Sequence, residues 1–147
     1  MEQIILKENN FDKARKLIKE NFGKRIIFCG EDETNRKILE KEKIDILLLN
    51  ESNRQDFQKQ RNSGFNHVLA KLAKKKGIKI GINLDEIIES DKKNKAIILG
   101  RVKQNIEICN KNKINMEFVS LKNKKDKIDL KSLGLSLGMP TWMILEN

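Results

Sequence analysis

The sequence predicts an α/β fold built on a mainly parallel sheet, and three observations carry that prediction. Apolar runs of strand length alternate with stretches of helical periodicity along the whole chain. The run 44–49 is nearly continuous in Ile and Leu, as a strand covered on both faces requires. Helix-length stretches separate the strands, which is what right-handed crossovers between parallel neighbours need. Such a sheet is either open and doubly wound or a reduced (β/α) barrel. Five or six strands are few for a full barrel, which takes eight strands and about 250 residues.

The elements follow in order. Gln3–Lys7 reads as a short strand. Phe11, Ala14, Ile18 and Phe22 then recur at helical spacing, with Asn10 placed to cap the helix and Gly23 to stop it. Arg25–Cys29 is a strand, 34–42 a helix and 44–49 the apolar strand. The stretch 64–76 is a helix stopped by Gly77, and 78–82 the next strand. A long helix over 94–112 carries Ile98, Val102, Ile106 and Cys109 on its buried stripe. Met116–Val119 is a strand, 130–137 a helix, and 142–145 one more strand. No internal linker or low-complexity segment interrupts the pattern, so the 147 residues read as a single domain, long enough for a real core.

Charge is unevenly placed. The net charge is +10, from 31 basic and 21 acidic residues. Residues 1–56 hold 12 of each, whereas residues 57–147 hold 19 basic and 9 acidic side chains. A general lysine bias would spread the excess evenly. An excess confined to the C-terminal part points to a polyanionic partner, nucleic acid or an acidic membrane surface. No apolar stretch approaches the roughly 20 residues that span a bilayer. The start of the chain does not read as a signal peptide. Cys29 and Cys109 fall in a strand and on an apolar helix face, as small core residues do. A cytoplasmic protein is the natural expectation.

Catalytic constellations are sparse. A metal-dependent hydrolase gathers several His, Asp or Glu ligands at strand ends, and this chain has one histidine. Asp45 and Asp85 lie near strands, but nothing pairs them. There is no glycine-rich phosphate loop. Gly134 and Gly138 at a spacing of four suggest close packing of a helix. Ser63 and His67 lack a third residue to orient them as nucleophile and base.

The pattern that stands out is the helix over 64–76. Phe65, Val68, Leu69, Leu72 and Ala73 are its expected core stripe, while His67, Lys71 and Lys74 share a polar face. Lys59, Arg61, Asn62 and Ser63 lie just ahead. Asn62 or Ser63 can cap the helix, and Arg61 beside free helix N–H groups would suit a phosphate. A second basic loop after Met116–Val119 carries Lys122, Lys124, Lys125 and Lys127. In a parallel α/β fold, loops leaving strand C-termini share one face, so both loops could meet one partner. With six Phe, one Trp and no Tyr, base stacking is not expected; backbone and shape recognition of folded RNA suits the composition better.

Residues 60–73, Gln60-Arg61-Asn62-Ser63-Gly64-Phe65-Asn66-His67-Val68-Leu69-Ala70-Lys71-Leu72-Ala73, followed by Gly77-Ile78-Lys79-Ile80-Gly81-Ile82-Asn83, closely resemble the ribonuclease P protein component 3 family. Asn35-Arg36-Lys37 ahead of Ile44-Asp45-Ile46-Leu47 resembles that family's Asn-Arg before a Val-Asp-Ile-Leu strand. Arg101-Val102-Lys103-Gln104-Asn105-Ile106 resembles its Arg-Gln-Asn helix. Asp129-Leu130-Lys131-Ser132-Leu133-Gly134, then Leu137-Gly138-Met139, resembles its Asp-Leu-x-x-Leu-Gly and Leu-Gly-Met. The match runs from about residue 23 to residue 139. Family members usually carry more strand-helix units ahead of Arg25 and more helix after the Leu-Gly-Met. The resemblance therefore implies a reduced or open (β/α) TIM-barrel-like fold.

It also implies a protein subunit of ribonuclease P. Such a subunit binds and stabilises the catalytic RNA for removal of the 5′ leader from precursor tRNA, and protein component 2 is its partner. The RNA would carry the chemistry with Mg²⁺, and this chain would bind no cofactor and have no catalytic or metal residue. RNA contacts in the family fall on residues of the kind found at Arg36, Arg61, His67, Lys71, Lys76, Lys111 and Lys127. Lys59, Asn62, Ser63, Arg101 and Lys124 complete the expected RNA-binding set, and no membrane partner is expected. The competing readings are a stand-alone metal-dependent phosphoesterase of barrel fold and a general basic nucleic-acid binder.

Overall fold

The computed structural model describes residues 2–145. In chain order these form β1 (Gln3–Lys7), α1 (Phe11–Glu20), β2 (Arg25–Cys29), α2 (Asp32–Lys41), β3 (Ile46–Leu49) and α3 (His67–Lys76). They continue as β4 (Lys79–Asn83), α4 (Leu84–Glu89), α5 (Lys92–Asn112), β5 (Met116–Val119), α6 (Lys127–Ser136) and α7 (Thr141–Leu145). The five strands are all parallel and lie in the order β1-β2-β3-β4-β5. Each strand pairs with its neighbours in sequence, so successive right-handed crossovers deposit every helix on the same side. That order decides between the two sheets the sequence allows. The sheet is an open, singly wound (β/α) barrel segment and not a doubly wound one.

Side-chain alternation along the strands shows the two faces. Leu6, Ile26, Phe28, Leu47, Leu49, Ile80, Ile82 and Met116 point to the helices and join the main core. Burying each such side chain contributes roughly 1.5–3 kcal/mol. The opposite face holds a second, smaller cluster of Ile27, Cys29, Ile46, Leu48 and Val119, with Ile5 at its edge, all from strands. Gly81 sits among them, and a Cβ there would lie 2.9 Å from Ile46 Cγ2 and 3.2 Å from Val119 Cγ2. Its lack of a side chain lets the concave face close tightly. At the strand N-terminal ends Arg25 of β2 reaches Gln3 of β1 (2.6 Å) and Glu117 of β5 (2.5 Å). A contact from the second strand to the fifth needs a curled sheet.

Several element boundaries differ from the sequence reading, each for a local reason. The helix expected from residue 64 begins at His67, with Asn66 as its cap; Asn66 Oδ1 accepts the Leu69 N–H at 2.9 Å. With the start moved by a turn, Val68 faces solvent and Ala70 packs inward instead. Phe22, expected on the buried stripe of the first helix, lies beyond its end and is exposed. The stretch 142–145 is not a strand. Pro140 accepts N–H groups from Met143 and Ile144, starting the short α7, whose Met143 and Ile144 are buried. A helix absent from the sequence reading, α4, follows β4 directly because Asn83 caps it, Oδ1 accepting from the Glu86 N–H. Both cysteines are buried and free, on the two opposite faces of the sheet.

Candidate nucleic-acid interface

The segment 50–66, between β3 and α3, is long and largely irregular, yet it is fixed from beneath. Asn50 donates to Cys29 Sγ at 2.9 Å and accepts from Asn83 Nδ2 at 2.8 Å. The Glu86 carboxylate takes the N–H groups of Glu51 (2.7 Å) and Ser52 (3.0 Å), and the Ser52 hydroxyl as well. Arg54 donates to Asn50 O at 2.6 Å and forks onto Asp32 with two bonds of 2.9 Å. The bidentate geometry suits a guanidinium and a carboxylate.

Arg101 is the central fastener. Only 4% exposed on α5, it donates to Glu51 O (2.6 Å), Arg54 O (2.8 Å) and Asp56 Oδ1 (3.0 Å and 3.1 Å). Its planar set of donors satisfies two backbone carbonyls and a carboxylate at once. Glu51, 2% exposed, accepts from Asn105 Nδ2 at 3.0 Å. Burial pushes its carboxyl up to about 8, against the opposing pull of Arg54. Asp56 is shifted the other way, held low chiefly by the Asn62 N–H and then by Arg101. Asn62 folds the next turn through Gly64, accepting its N–H at 3.2 Å. Gly64 has φ +73° and lies against the Arg54 guanidinium, which a Cβ would meet at 2.4 Å. Both the backbone angle and the contact require glycine there.

This framework builds a cleft of about 610 Å³ at the surface, between the start of α2, the turn 57–60, the start of α3 and α5. Arg36, Phe57, Gln60, Arg61, Asn62 and Gln104 are among its walls. The Arg61 carbonyl accepts from Gln104 at 3.2 Å, while its guanidinium lies over Gly100 of α5. Arg36 pairs with Glu40 one helical turn away and stays half exposed. Arg36, Arg61 and Asn62 therefore meet at one cleft, whereas His67 and Lys71, expected on one surface with Arg61, do not line it.

Ser63 also lines the cleft but is covered, and the remaining expected site residues lie outside it. Ser63 is 1% exposed, its hydroxyl accepting from Gln104 and donating to Phe65 O. Neither Ser63 nor Asn62 caps α3. Arg101 is likewise buried. Both residues hold the loop's shape and cannot reach a partner at the surface. His67 and Lys71 are exposed on α3, with Asn112 donating to His67 Nδ1 at 3.0 Å. Lys76 donates to Glu42 O. Lys59 lies exposed in the 57–60 turn, and Lys111 near the end of α5.

The second basic loop does not join this cleft. Its backbone is wrapped around Asp85, which accepts from Leu121, Lys122 and Asn123 N–H groups and from the Ser120 hydroxyl. Burial works the other way, but these bonds hold the Asp85 carboxyl well below the usual carboxylate range. Lys124 and Lys127 are exposed. Lys127 lines a separate cavity of about 330 Å³ with Arg25, Lys79 and Glu117, beside β5.

Sequence reasoning missed Glu51, Arg54, Asp56 and Phe57, and misread Arg101. For Arg101 a signal was present. Positions 98, 101, 102, 105, 106 and 109 form one helical stripe, so Arg101 and Asn105 stand in line with the apolar residues. Among the described residues, no three His, Cys, Asp or Glu side chains are grouped to hold a metal ion. No helix among them is long and apolar enough to cross a membrane.

The fold and the cleft define a class: an open (β/α) barrel segment with a surface cleft on its helical side, lined by apolar side chains together with Asp32, Glu33, Arg36 and Arg61. Similar proteins narrow the class to one family. Ribonuclease P protein component 3 of Methanosarcina acetivorans is 32% identical over 120 residues, which cover 80% of this chain and 47% of that protein. The Methanococcus vannielii protein of the same name is 30% identical over 104 residues, covering 71% of this chain and 42% of that one. The Thermococcus gammatolerans counterpart is 28% identical over 114 residues, covering 75% and 50%. The chain belongs to the ribonuclease P protein component 3 family. It spans about half the length of the curated relatives it matches. No family model matches the chain. The fold is shared with a chain in a cryo-EM structure of archaeal ribonuclease P with mature tRNA, at a TM-score of 0.82 and 24% identity, over 98% of this chain and 64% of that one.

Proposed function

We propose that the chain acts as a protein subunit of ribonuclease P, binding and stabilising the catalytic RNA for removal of the 5′ leader from precursor tRNA in the cytoplasm. The family's name and the fold it shares with archaeal ribonuclease P support that reading. The observation that carries it at residue level is the cleft, where Arg61 is presented by a loop fastened through Arg101 and Asp56. A guanidinium held in place loses less entropy on meeting a phosphate than a free surface lysine does. In this reading the RNA performs the hydrolysis with its own Mg²⁺, the chain is a non-catalytic subunit, and protein component 2 is its protein partner.

Reconstituted cleavage of precursor tRNA tests the proposal. Arg61→Ala combined with His67→Ala is expected to lower cleavage far more than Lys124→Ala combined with Lys127→Ala. Equal losses would favour a general basic binder. RNA affinity should fall by roughly 0.7–0.9 log units per tenfold salt for each phosphate neutralised. Capture of the protein from native lysate should bring down ribonuclease P RNA and component 2.

A further inference from the structure

Phe57 is a large aromatic held in the open. It is 62% exposed, although the helices offer a large apolar core, and it lines the same cleft as Arg61. Its position is not that of a loose loop tip. Asp56, immediately before it, is bonded to Arg101 and to the Asn62 N–H. Gln60 donates its N–H to Phe57 O, closing the turn, and Gln104 holds the Arg61 carbonyl just after it. Both ends of the turn are thus pinned to the framework, and the ring stands exposed in a cleft that Val68 also lines.

The chemistry around the ring is specific. Two acids line the cleft, Asp32 and Glu33, the first forked by Arg54 and the second paired with Lys37 at 3.8 Å, while Asp56 beside the turn is held by Arg101. The Arg61 guanidinium makes no ion pair among the described residues. Gln60 adds an amide able to meet the edge of a base, while the Asn62 amide is committed to Gln55 O and the Gly64 N–H. An aromatic face, a cation and an amide within one cleft match the three parts of a nucleotide: base plane, phosphate and base edge. An apolar protein segment would gain from the ring but leave Arg61 without a counter-charge.

We propose that Phe57 is a stacking platform for one unpaired base of the bound RNA, with the adjoining phosphate on Arg61. This rests on the reading of the chain as an RNA-binding subunit and adds to it a single-stranded or bulged nucleotide as the feature recognised. It reverses the sequence-based expectation that base stacking plays no part.

The test measures binding of the full chain to ribonuclease P RNA, with salt titrations, for wild type, Phe57→Ala, Phe57→Leu, Phe57→Tyr and Arg61→Ala. Because Phe57 is exposed, its variants should melt like wild type. The proposal expects Phe57→Ala and Phe57→Leu to weaken binding by roughly tenfold or more, the scale of one base–aromatic stack. Phe57→Tyr should bind as wild type does. The salt slope should be unchanged in the Phe57 variants and smaller in Arg61→Ala by about one phosphate. Phe57→Ala binding like wild type would overturn the platform while leaving the subunit reading intact. Full binding by Phe57→Leu with loss in Phe57→Ala would overturn it in favour of an apolar, protein-type contact. Failure of the wild-type chain to bind the RNA would instead overturn the subunit reading on which the platform depends.

Discussion

Two loops leave the C-terminal ends of strands in this protein, one after β3 and one after β5, and they solve different problems. The loop after β5 carries the denser run of lysines, yet its side chains Lys124 and Lys127 stand in solvent. One carboxylate, Asp85, gathers its backbone. The loop after β3 has fewer cations, but Arg101, Arg54, Asp32, Asp56 and Glu86 hold it from below, and it ends in a shaped cleft. The contrast teaches that charge density marks where a polyanion can approach. Buried polar fasteners mark where a loop keeps a fixed shape.

Breaking the fasteners should give the largest effect. Arg101→Leu leaves the Glu51 and Arg54 carbonyls without their donor, and is expected to cost about 1–3 kcal/mol for each that stays unsatisfied. Urea unfolding would measure this. Arg101→Lys should recover little of the loss, since an ammonium cannot replace the planar fork.

Next comes Glu51, whose carboxyl is raised to about 8 from an ordinary 4.5. Between those values the folded chain holds a proton that the unfolded chain has released, so stability falls as pH rises from about 4.5 to about 8. Glu51→Gln should remove that slope from unfolding midpoints followed across pH. A slope equal to wild type would assign it to another group.

Asp85 should show the opposite sign. Its folded value is depressed, so its contribution is present above the ordinary carboxylate range and fades as pH falls below it. Asp85→Ala is expected to lose amide protection at residues 121–123 by hydrogen exchange, with the loop after β3 unaffected. Smallest of all should be Lys124→Ala with Lys127→Ala, which is expected to shift stability by no more than about 0.5 kcal/mol.

Much of the fold could be read from the residues because its causes are local. The strands around Ile27, Leu47 and Ile80 announce themselves by apolar runs, and Asn10, Gly23 and Gly77 mark helix ends by the conformations they favour. The start of α3 was harder. Asn62, Ser63 and Asn66 are all competent caps, and the choice among them depends on Gly64 turning left-handed under Arg54 and on Ser63 being covered from α5. Neither is a near neighbour in the helix pattern. Arg61 and Asn62 of the cleft stood in one recognisable stretch and Arg36 in another. Arg101 was misassigned because an arginine is read as a surface residue unless its partners are known, and these partners are 45 to 50 residues away. Phe57 stayed hidden for the converse reason: an isolated phenylalanine in a polar loop gives no periodicity to judge whether it faces in or out.

The sheet order has a consequence for how the chain reaches this state. Every strand pairs only with strands adjacent in sequence, so the pairing steps close comparatively short loops and can proceed unit by unit along the chain. Other contacts span long separations, among them Arg25 to Glu117 across the curled face and Arg101 to the loop after β3. The first needs both β2 and β5 in place, the second only α5 and the loop after β3. The cleft therefore depends on α5 packing back over the loop after β3, a contact 45 to 50 residues apart in the chain.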